Sequence, residues 1–286
     1  MPQERLSIIT INYNNREGLR KTIESVVNQT YRSFEYIIID GGSTDGSVEV
    51  IKEYADRISY WVSEPDNGIY NAMNKGVLAA NGKYIQFLNS GDSLLTLNII
   101  EEIIGHLKDA DILFAKMRFS DTKEIVSCPE TITMRTLYER SLPHPSAYIT
   151  RELLLKFPYD ETLRIVSDWK FWIQSIIFNN ASYQIMPQTI VDFDTVGISG
   201  TNKALVAKER EFVLHDLLPN RILNDYFHLQ HGEGYQENTY DKLFIEIGKR
   251  KYHCIIYSAT IFIMKFIALF KKSARFIHQF PWCDNR

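Results

Sequence analysis

Five short clusters along the chain carry residue types that chemistry uses. Asp40 closes a run of three isoleucines and is followed by Gly41 and Gly42. A carboxylate at that point can accept a hydrogen bond from an imide N–H, and two glycines let a ligand approach the backbone. Thr10, Asn12 and Tyr13 end a similar apolar run nearby. Asp66-Asn67-Gly68 is a turn signal, and Tyr70, Asn71, Asn74 and Lys75 then place polar groups in the first turns of a helix-like stretch, where Ala or Glu would be intrinsically better. Asn89-Ser90-Gly91-Asp92 offers one carboxylate and one amide, hard oxygen donors of the kind Mg²⁺ or Mn²⁺ takes. Asp168 opens SDWKFW, and a carboxylate beside aromatic rings is partly desolvated, which favours its neutral form and makes it a better proton acceptor near neutrality.

Each cluster also has a purely structural reading. Ser43 and Asp45 precede the helix-like SVEVIKEY and can cap it, as Asn67 can cap the next helix. Asn12 and Asn14 can form a turn, Asp92 can close one, and Asp168 can cap its own helix, a role worth about 1 kcal/mol. His144, between prolines in LPHPSAYI, is a lone histidine of the sort that more often makes a structural hydrogen bond. Asp192 and Asp194 can be the outward face of a strand.

Whether these groups meet depends on the elements that carry them. LSIITINY (6–13), FEYIIID (34–40), SYWVSE (59–64) and KYIQFLNSGD (83–92) read as strands, the first two Ile-rich as in strands buried on both faces. Between them GLRKTIESVVNQ places Leu19, Ile23, Val26 and Val27 on one helix face, and SVEVIKEYA and IYNAMNKGVLAA fill the later intervals. Strands alternating with helices imply an open, mostly parallel sheet covered on both sides. Ligands of such sheets bind beyond the carboxyl ends of the strands, where the polar clusters stand. After residue 110 ADILFAKMRF and KEIVSC look like an antiparallel pair, and SDWKFWIQSIIF like a helix with Trp169, Trp172, Ile173 and Ile176 toward the core. IVDFDTVGIS reads as a late strand before a helix near 203–217, so one continuous domain is expected over 1–220 and a helical extension over 221–286.

With 35 acidic against 32 basic residues in 286, the net charge is −3, which argues against general nucleic-acid binding. The three cysteines, Cys128, Cys254 and Cys283, lie far apart without paired spacing, so neither a disulfide framework nor a thiolate zinc site is expected and a reducing compartment fits. MPQERLSIITINY holds no long apolar segment, so no signal peptide is expected and the cytoplasm is the expected location. From Lys249 to Cys283 there are seven Lys or Arg and no Asp or Glu. Wound as a helix over about 250–280, this segment puts Ile256, Ile263, Phe266, Ile267 and Phe270 on one face and Lys265, Lys271, Lys272 and Arg275 on the other. Such a helix suits the interface of an anionic membrane, here the inner face of the cell membrane, or equally packing on its own domain or a second subunit.

SIITINYN, IIIDGGSTDGS, EPDNGIYNAMNKG, YIQFLNSGD and SDWKFW, in this order and spacing over about residues 5–215, resemble an inverting family 2 glycosyltransferase of the GT-A fold, of the type that builds bacterial surface polysaccharides. The resemblance implies a Rossmann-like α/β sheet flanked by helices, with the C-terminal helical extension outside it. It implies transfer of a sugar from a nucleotide-diphosphate sugar, UDP-linked, to a saccharide hydroxyl that is lipid-linked in some systems. It assigns Asp40 to base recognition with Thr10, Asn12 and Tyr13 flanking, and Asp66 and Lys75 to the diphosphate and donor sugar. It makes Asp92 the ligand of Mg²⁺ or Mn²⁺, helped by Asn89 beside Ser90 and Gly91, and Asp168 the catalytic base. His144 would touch donor or acceptor, and Gly197, Ser199 and Lys203 fall in a loop that borders the diphosphate. The chain departs from the family pattern at Asn89 and Gly91, where many relatives carry Asp. That thinner shell supports the rival of a non-catalytic nucleotide-sugar-binding or scaffold subunit. A nucleotidyltransferase is the poorer rival, because NYNNREGLR is not the Gly-rich, basic loop that holds a triphosphate.

Overall fold

The computed structural model of the protein describes residues 6–196 and 202–231. The basic segment near 250–280, together with Gly197 and Ser199, lies outside the described residues. The first half alternates strand and helix: β1 (Leu6–Asn12), α1 (Arg16–Val27), β2 (Glu35–Asp40), α2 (Ser47–Glu53), β3 (Tyr60–Ser63), α3 (Ile69–Ala79) and β4 (Tyr84–Phe87). These strands pair in parallel in the order β3-β2-β1-β4, so their carboxyl ends share one edge.

Hydrophobic alternation explains why the sheet is covered on both faces. Ile9 and Ile11 of β1 and Ile37 and Ile39 of β2 pack with Tyr70, Met73 and Val77 of α3 on one side. Leu6, Ile8 and Ile38 pack with Leu19, Ile23 and Val26 of α1 on the other. α3 lies so close to β1 that a Cβ on Gly76 would stand 2.6 Å from the Ile9 side chain. Only glycine permits that approach, which sets the depth at which α3 holds its first turns against the strand ends.

The second half is mixed, and nothing in its hydrophobic pattern announces the order. The elements are β5 (Ser93–Leu94), α4 (Ile99–Ile104), β6 (Ile112–Phe119), β7 (Ile125–Val126), α5 (Met134–Glu139), β8 (Ala147–Thr150), α6 (Arg151–Lys156), α7 (Ser167–Trp172), β9 (Tyr183–Phe193), α8 (Lys203–Leu217) and α9 (Asn220–His231). The sheet continues β4-β8-β6-β9-β5, with β7 on the side of β6, as expected for that hairpin. β8 runs antiparallel to both β4 and β6, whereas β9 runs parallel to β6 through two register shifts. SDWKFWIQSIIF is helical throughout, α7 passing into a π-helical stretch at Ile173–Phe178. Trp169, Trp172, Ile173 and Ile176 are buried as expected, and so is Phe171. Among the described residues no helix is long and apolar enough to cross a membrane.

Candidate active site

The carboxyl edge of β1 and β2 is organised by Asp40. It is fully buried, and its carboxylate accepts hydrogen bonds from Asn12 Nδ2 (2.7 Å), Ser43 Oγ (2.6 Å), Ser63 Oγ (2.6 Å) and the Ser43 N–H (2.9 Å). Burial alone would raise its pKa, but the donors from Ser43, Ser63 and Asn12 outweigh it and hold the carboxyl below its ordinary value. Asp40 is therefore an ionised hub whose oxygens are already occupied by Asn12, Ser43 and Ser63. Thr10, buried beneath, bonds Leu88 O (2.8 Å) and Tyr36 Oη (3.1 Å), a structural node rather than an open donor. The expectation that Ser43 and Asp45 cap α2 holds for Asp45 alone, whose Oδ1 accepts from the N–H of Ser47, the first residue of that helix. Its cap position is Gly46 without a side-chain bond; Ser43 serves Asp40, while Asp45 holds Ser47 and the Arg16 N–H.

Tyr13 stands at the mouth of this edge, 67% exposed. A Cβ on Gly41 would lie 2.6 Å from Asp66 Oδ2 and 3.2 Å from the Tyr13 ring, so Tyr13, Gly41 and Asp66 meet. Asp66 Oδ1 also accepts from the Gly68 N–H (2.8 Å), and the expected cap of α3 by Asn67 is not made, the cap position being Gly68 without a side-chain bond. Lys75 pairs with Glu64 at 2.7 Å on the same rim. The polar run in α3 has a structural explanation in part: Asn71 and Asn74 bond Glu161, and Asn74 also bonds both backbone groups of Tyr159.

The Asn89–Asp92 turn is held from below by α1. Thr22 Oγ1 bonds the Asn89 and Asp92 carbonyls and the Gly91 N–H, and Asn15 and Lys21 bond the Ser90 and Gly91 carbonyls. Gly91 has φ of +106° and faces Asp194, whose Oδ2 would lie 2.6 Å from an added Cβ. A side chain there, including the Asp of related strings, would be strained by that φ and would have to displace the Asp194 carboxylate. Asp92 is 2% exposed. Its Oδ1 accepts from the Asp194 N–H (2.9 Å), and its Oδ2 is buried without a partner. Burial, with the charge of Asp194 adding, pushes its pKa up to about 7. Among the described residues no group of three or more His, Cys, Asp or Glu side chains could hold a metal. The oxygens that do suit a hard cation are Asp92 Oδ2 and Asn89 Oδ1, both buried and unpartnered. The fit is that of a sparse protein shell, one carboxylate and one amide, to be completed by ligand oxygens and water.

Asp168 lies in the first turn of α7, but the cap position is Val166, so capping does not account for it. Tyr70 Oη donates to Asp168 Oδ1 (3.1 Å), and the other oxygen makes no hydrogen bond among the described residues. The Tyr70 phenol is driven well above its ordinary pKa by burial and the Asp168 charge, so it remains a donor. His144 is buried, stacked on Phe87 at 5.4 Å and bonded through Nε2 to Tyr159 Oη at 2.8 Å. Burial lowers its pKa, leaving a neutral ring near pH 7. Asp168, His144, Tyr70 and Asn89 share a cavity of about 330 Å³ with the buried Trp169. Asp40, Tyr13 and Asp66 are not among its lining residues. The expected site thus divides into a polar rim over β1–β3 and a cavity at the ends of β4 and α7.

Two residues of this cavity region escape sequence reasoning. Glu209 of α8, 8% exposed, accepts from three successive backbone N–H groups, those of Arg164 (2.8 Å), Ile165 (2.9 Å) and Val166 (3.3 Å), and so fixes the strap that leads into Asp168. Arg210 places its guanidinium over the Trp169 ring, 4.9 Å from the centroid. Lys203 is exposed at the first position of α8.

Residues 7–157 match the sequence profile described as glycosyl transferase family 2. An uncharacterized glycosyltransferase of Mycobacterium tuberculosis is 28% identical over 262 residues, covering 85% of this chain and 98% of the relative. A PGL/p-HBAD biosynthesis glycosyltransferase of Mycobacterium bovis is 28% identical over 218 residues, covering 73% and 83%. Among solved structures, S. aureus TarS 1–349 in complex with UDP superposes with a TM-score of 0.56 at 18% identity, over 82% of this chain and 73% of that one. A further structure of S. aureus TarS 1–349 superposes at 0.56 and 20%, this chain spanning 60% of its length. The mannosyltransferase PcManGT of Pyrobaculum calidifontis, in complex with GDP-Man and Mn²⁺, superposes at 0.53 and 16%, over 67% and 57%. These likenesses establish the shared GT-A fold.

Proposed function

The chain belongs to glycosyl transferase family 2, and from that premise we propose that it moves a sugar from a nucleotide-diphosphate sugar, UDP-linked, to a saccharide hydroxyl with inversion at the anomeric carbon, in the building of a surface polysaccharide. The observation that carries this reading is Asp168, lining the cavity with one oxygen tied to Tyr70 and the other uncommitted. In a single displacement the acceptor hydroxyl gives its proton to Asp168 Oδ2 as its oxygen bonds the anomeric carbon, and the bond from that carbon to the diphosphate breaks on the opposite side. Tyr70 orients the carboxylate, and the buried His144, stacked on Phe87, lines the same cavity.

The rim over β1–β3 seats the nucleotide: the exposed Tyr13 ring offers a face for the base, Asp40 with its serines offers exchangeable polar partners, and Lys75 offers a charge near the diphosphate. Support for a nucleotide-sugar donor comes from the similar structures, described with UDP-GlcNAc, UDP and GDP-Man. Asn89 and Asp92 would hold a divalent cation, Mg²⁺ or Mn²⁺, which when bound supplies positive charge against the departing diphosphate.

Calorimetric titration of the protein with UDP, GDP and dTDP, each with Mn²⁺, Mg²⁺ or EDTA, tests the reading. Metal-dependent binding of one nucleoside diphosphate is expected. Absence of binding under every condition would refute it in favour of a non-catalytic subunit.

A further inference from the structure

Arg210 and Arg164 both line the cavity with no ion pair among the described residues, and of the two it is Arg210 that is partly withdrawn from water, Arg164 being exposed. Lys170 of α7 is paired with Asp160 and Asp216, both at 2.9 Å, and Arg118 with Asp192 at 2.7 Å. Arg210 has no hydrogen bond or ion pair among the described residues, and its Nε is buried without a partner. Its one recorded contact of this kind is the Trp169 ring. Asp168 is near enough for its charge to favour the cationic form of Arg210, while burial opposes it. The two are nonetheless not an ion pair, so the carboxylate stays open to the cavity.

The placement is fixed rather than incidental. Glu209, the preceding residue, is clamped by the N–H groups of Arg164, Ile165 and Val166, and Val213 one turn later is fully buried. α8 is therefore anchored on both sides of Arg210, which lines the same cavity as Asp168 and Asn89. A guanidinium partly withdrawn from water, with the charge of Asp168 near but not paired to it, is costly unless a closer partner arrives. Its fork of N–H donors matches a carboxylate or a phosphate, and the cavity, about 330 Å³, falls in the range of small-molecule sites, roughly 300–1,000 Å³.

We propose that Arg210 binds an oxyanion carried by the acceptor, the carboxylate of a uronic acid or a phosphate ester on the acceptor sugar, and so turns that sugar's hydroxyl toward Asp168. This rests on the reading of Asp168 as the base, which places the acceptor in this cavity rather than on the nucleotide rim. Arg210 then selects an anionic acceptor over a neutral one, while the donor is held by other residues.

The test is a ligand-observed NMR titration of the full chain with glucose, glucuronate and glucose 1-phosphate, each with and without saturating UDP. The wild type should bind at least one anionic probe at least tenfold more tightly than glucose, a difference of about 1.4 kcal/mol. Which of the two anions gains identifies the source of the oxyanion. The preference should persist with UDP present, vanish in Arg210→Met and survive in weakened form in Arg210→Lys, with UDP affinity unchanged in both variants. No preference in the wild type, or a preference that survives in Arg210→Met, would overturn the proposal. So would displacement of the anionic probes by UDP with loss of UDP affinity in Arg210→Met, which would place the guanidinium on the donor diphosphate. Absence of nucleoside-diphosphate binding to a wild type that keeps its anion preference would sink the sugar-transfer reading and leave the oxyanion site standing.

Discussion

Replacing Glu209 by Gln removes one charge and one acceptor from a carboxylate that holds three consecutive backbone N–H groups. Oε1 takes the Arg164 N–H at 2.8 Å, and Oε2 takes those of Ile165 and Val166 at 2.9 and 3.3 Å. The amide rotamer that loses least keeps its oxygen at the Oε2 position and turns its NH₂ toward the Arg164 N–H, donor against donor. A hydrogen bond to a charged group contributes about 1.5–3 kcal/mol, and Arg164 is exposed enough for water to replace part of the loss, so the net cost is about 2 kcal/mol. For a chain of this size that lowers Tm by roughly 4–8 °C. The consequence for activity is larger than for folding, because the released strap leads into Asp168 within two residues. A displacement of the base by about 1 Å can cost roughly a hundredfold in rate. Calorimetric Tm and single-turnover transfer, measured well below the variant's Tm, are the assays. Glu209→Gln should lose turnover at least tenfold with donor affinity within about twofold of wild type. A variant that melts as expected but turns over normally would refute the claim that the strap positions Asp168. Unchanged Tm would refute the energetic argument itself.

Two further predictions concern the polar turn and the tail. Because the folded pKa of Asp92 is raised to about 7 from an ordinary 3.8, the native state binds more protons than the unfolded chain between those values, and its stability falls as pH rises through that window. Metal-free Asp92→Asn lacks this decline, so its stability advantage over wild type should be greater at pH 8 than at pH 4 in denaturant melts; an equal advantage at both would contradict the burial argument. The basic segment read from the sequence near 250–280 should carry the protein to anionic membranes. A chain ending before residue 250 should leave the membrane fraction, and one that still pellets with membranes would refute docking through that segment.

Much of the site was legible because it stands at the ends of strands. Asn12, Asp40 and Asn89 follow Ile- and Phe-rich runs whose period fixes where each strand stops, and parallel pairing then brings those ends to one edge. Asp168 was legible through its aromatic neighbours, which the fold buries. Glu209 and Arg210 were not, because KEREF has the composition of any solvated helix face. Only the tertiary approach of α8 to the 164–166 strap gives that Glu three donors and that Arg an indole. Asn71 and Asn74 misled in the opposite direction: their polarity serves Tyr159 and Glu161. The mixed order of the second half was hidden for a related reason. β8 is only four residues long, and nothing local in AYIT says that it will insert antiparallel between β4 and β6.

The central claim is that Asp168 takes the acceptor's proton, and Asp168→Asn tests it most directly, since the amide keeps the size of the side chain and can still meet Tyr70. Transfer and donor affinity should be measured on the same preparation. The account predicts turnover reduced by about 10²–10⁴-fold with donor affinity within about twofold of wild type. Undiminished turnover in the folded variant would contradict it.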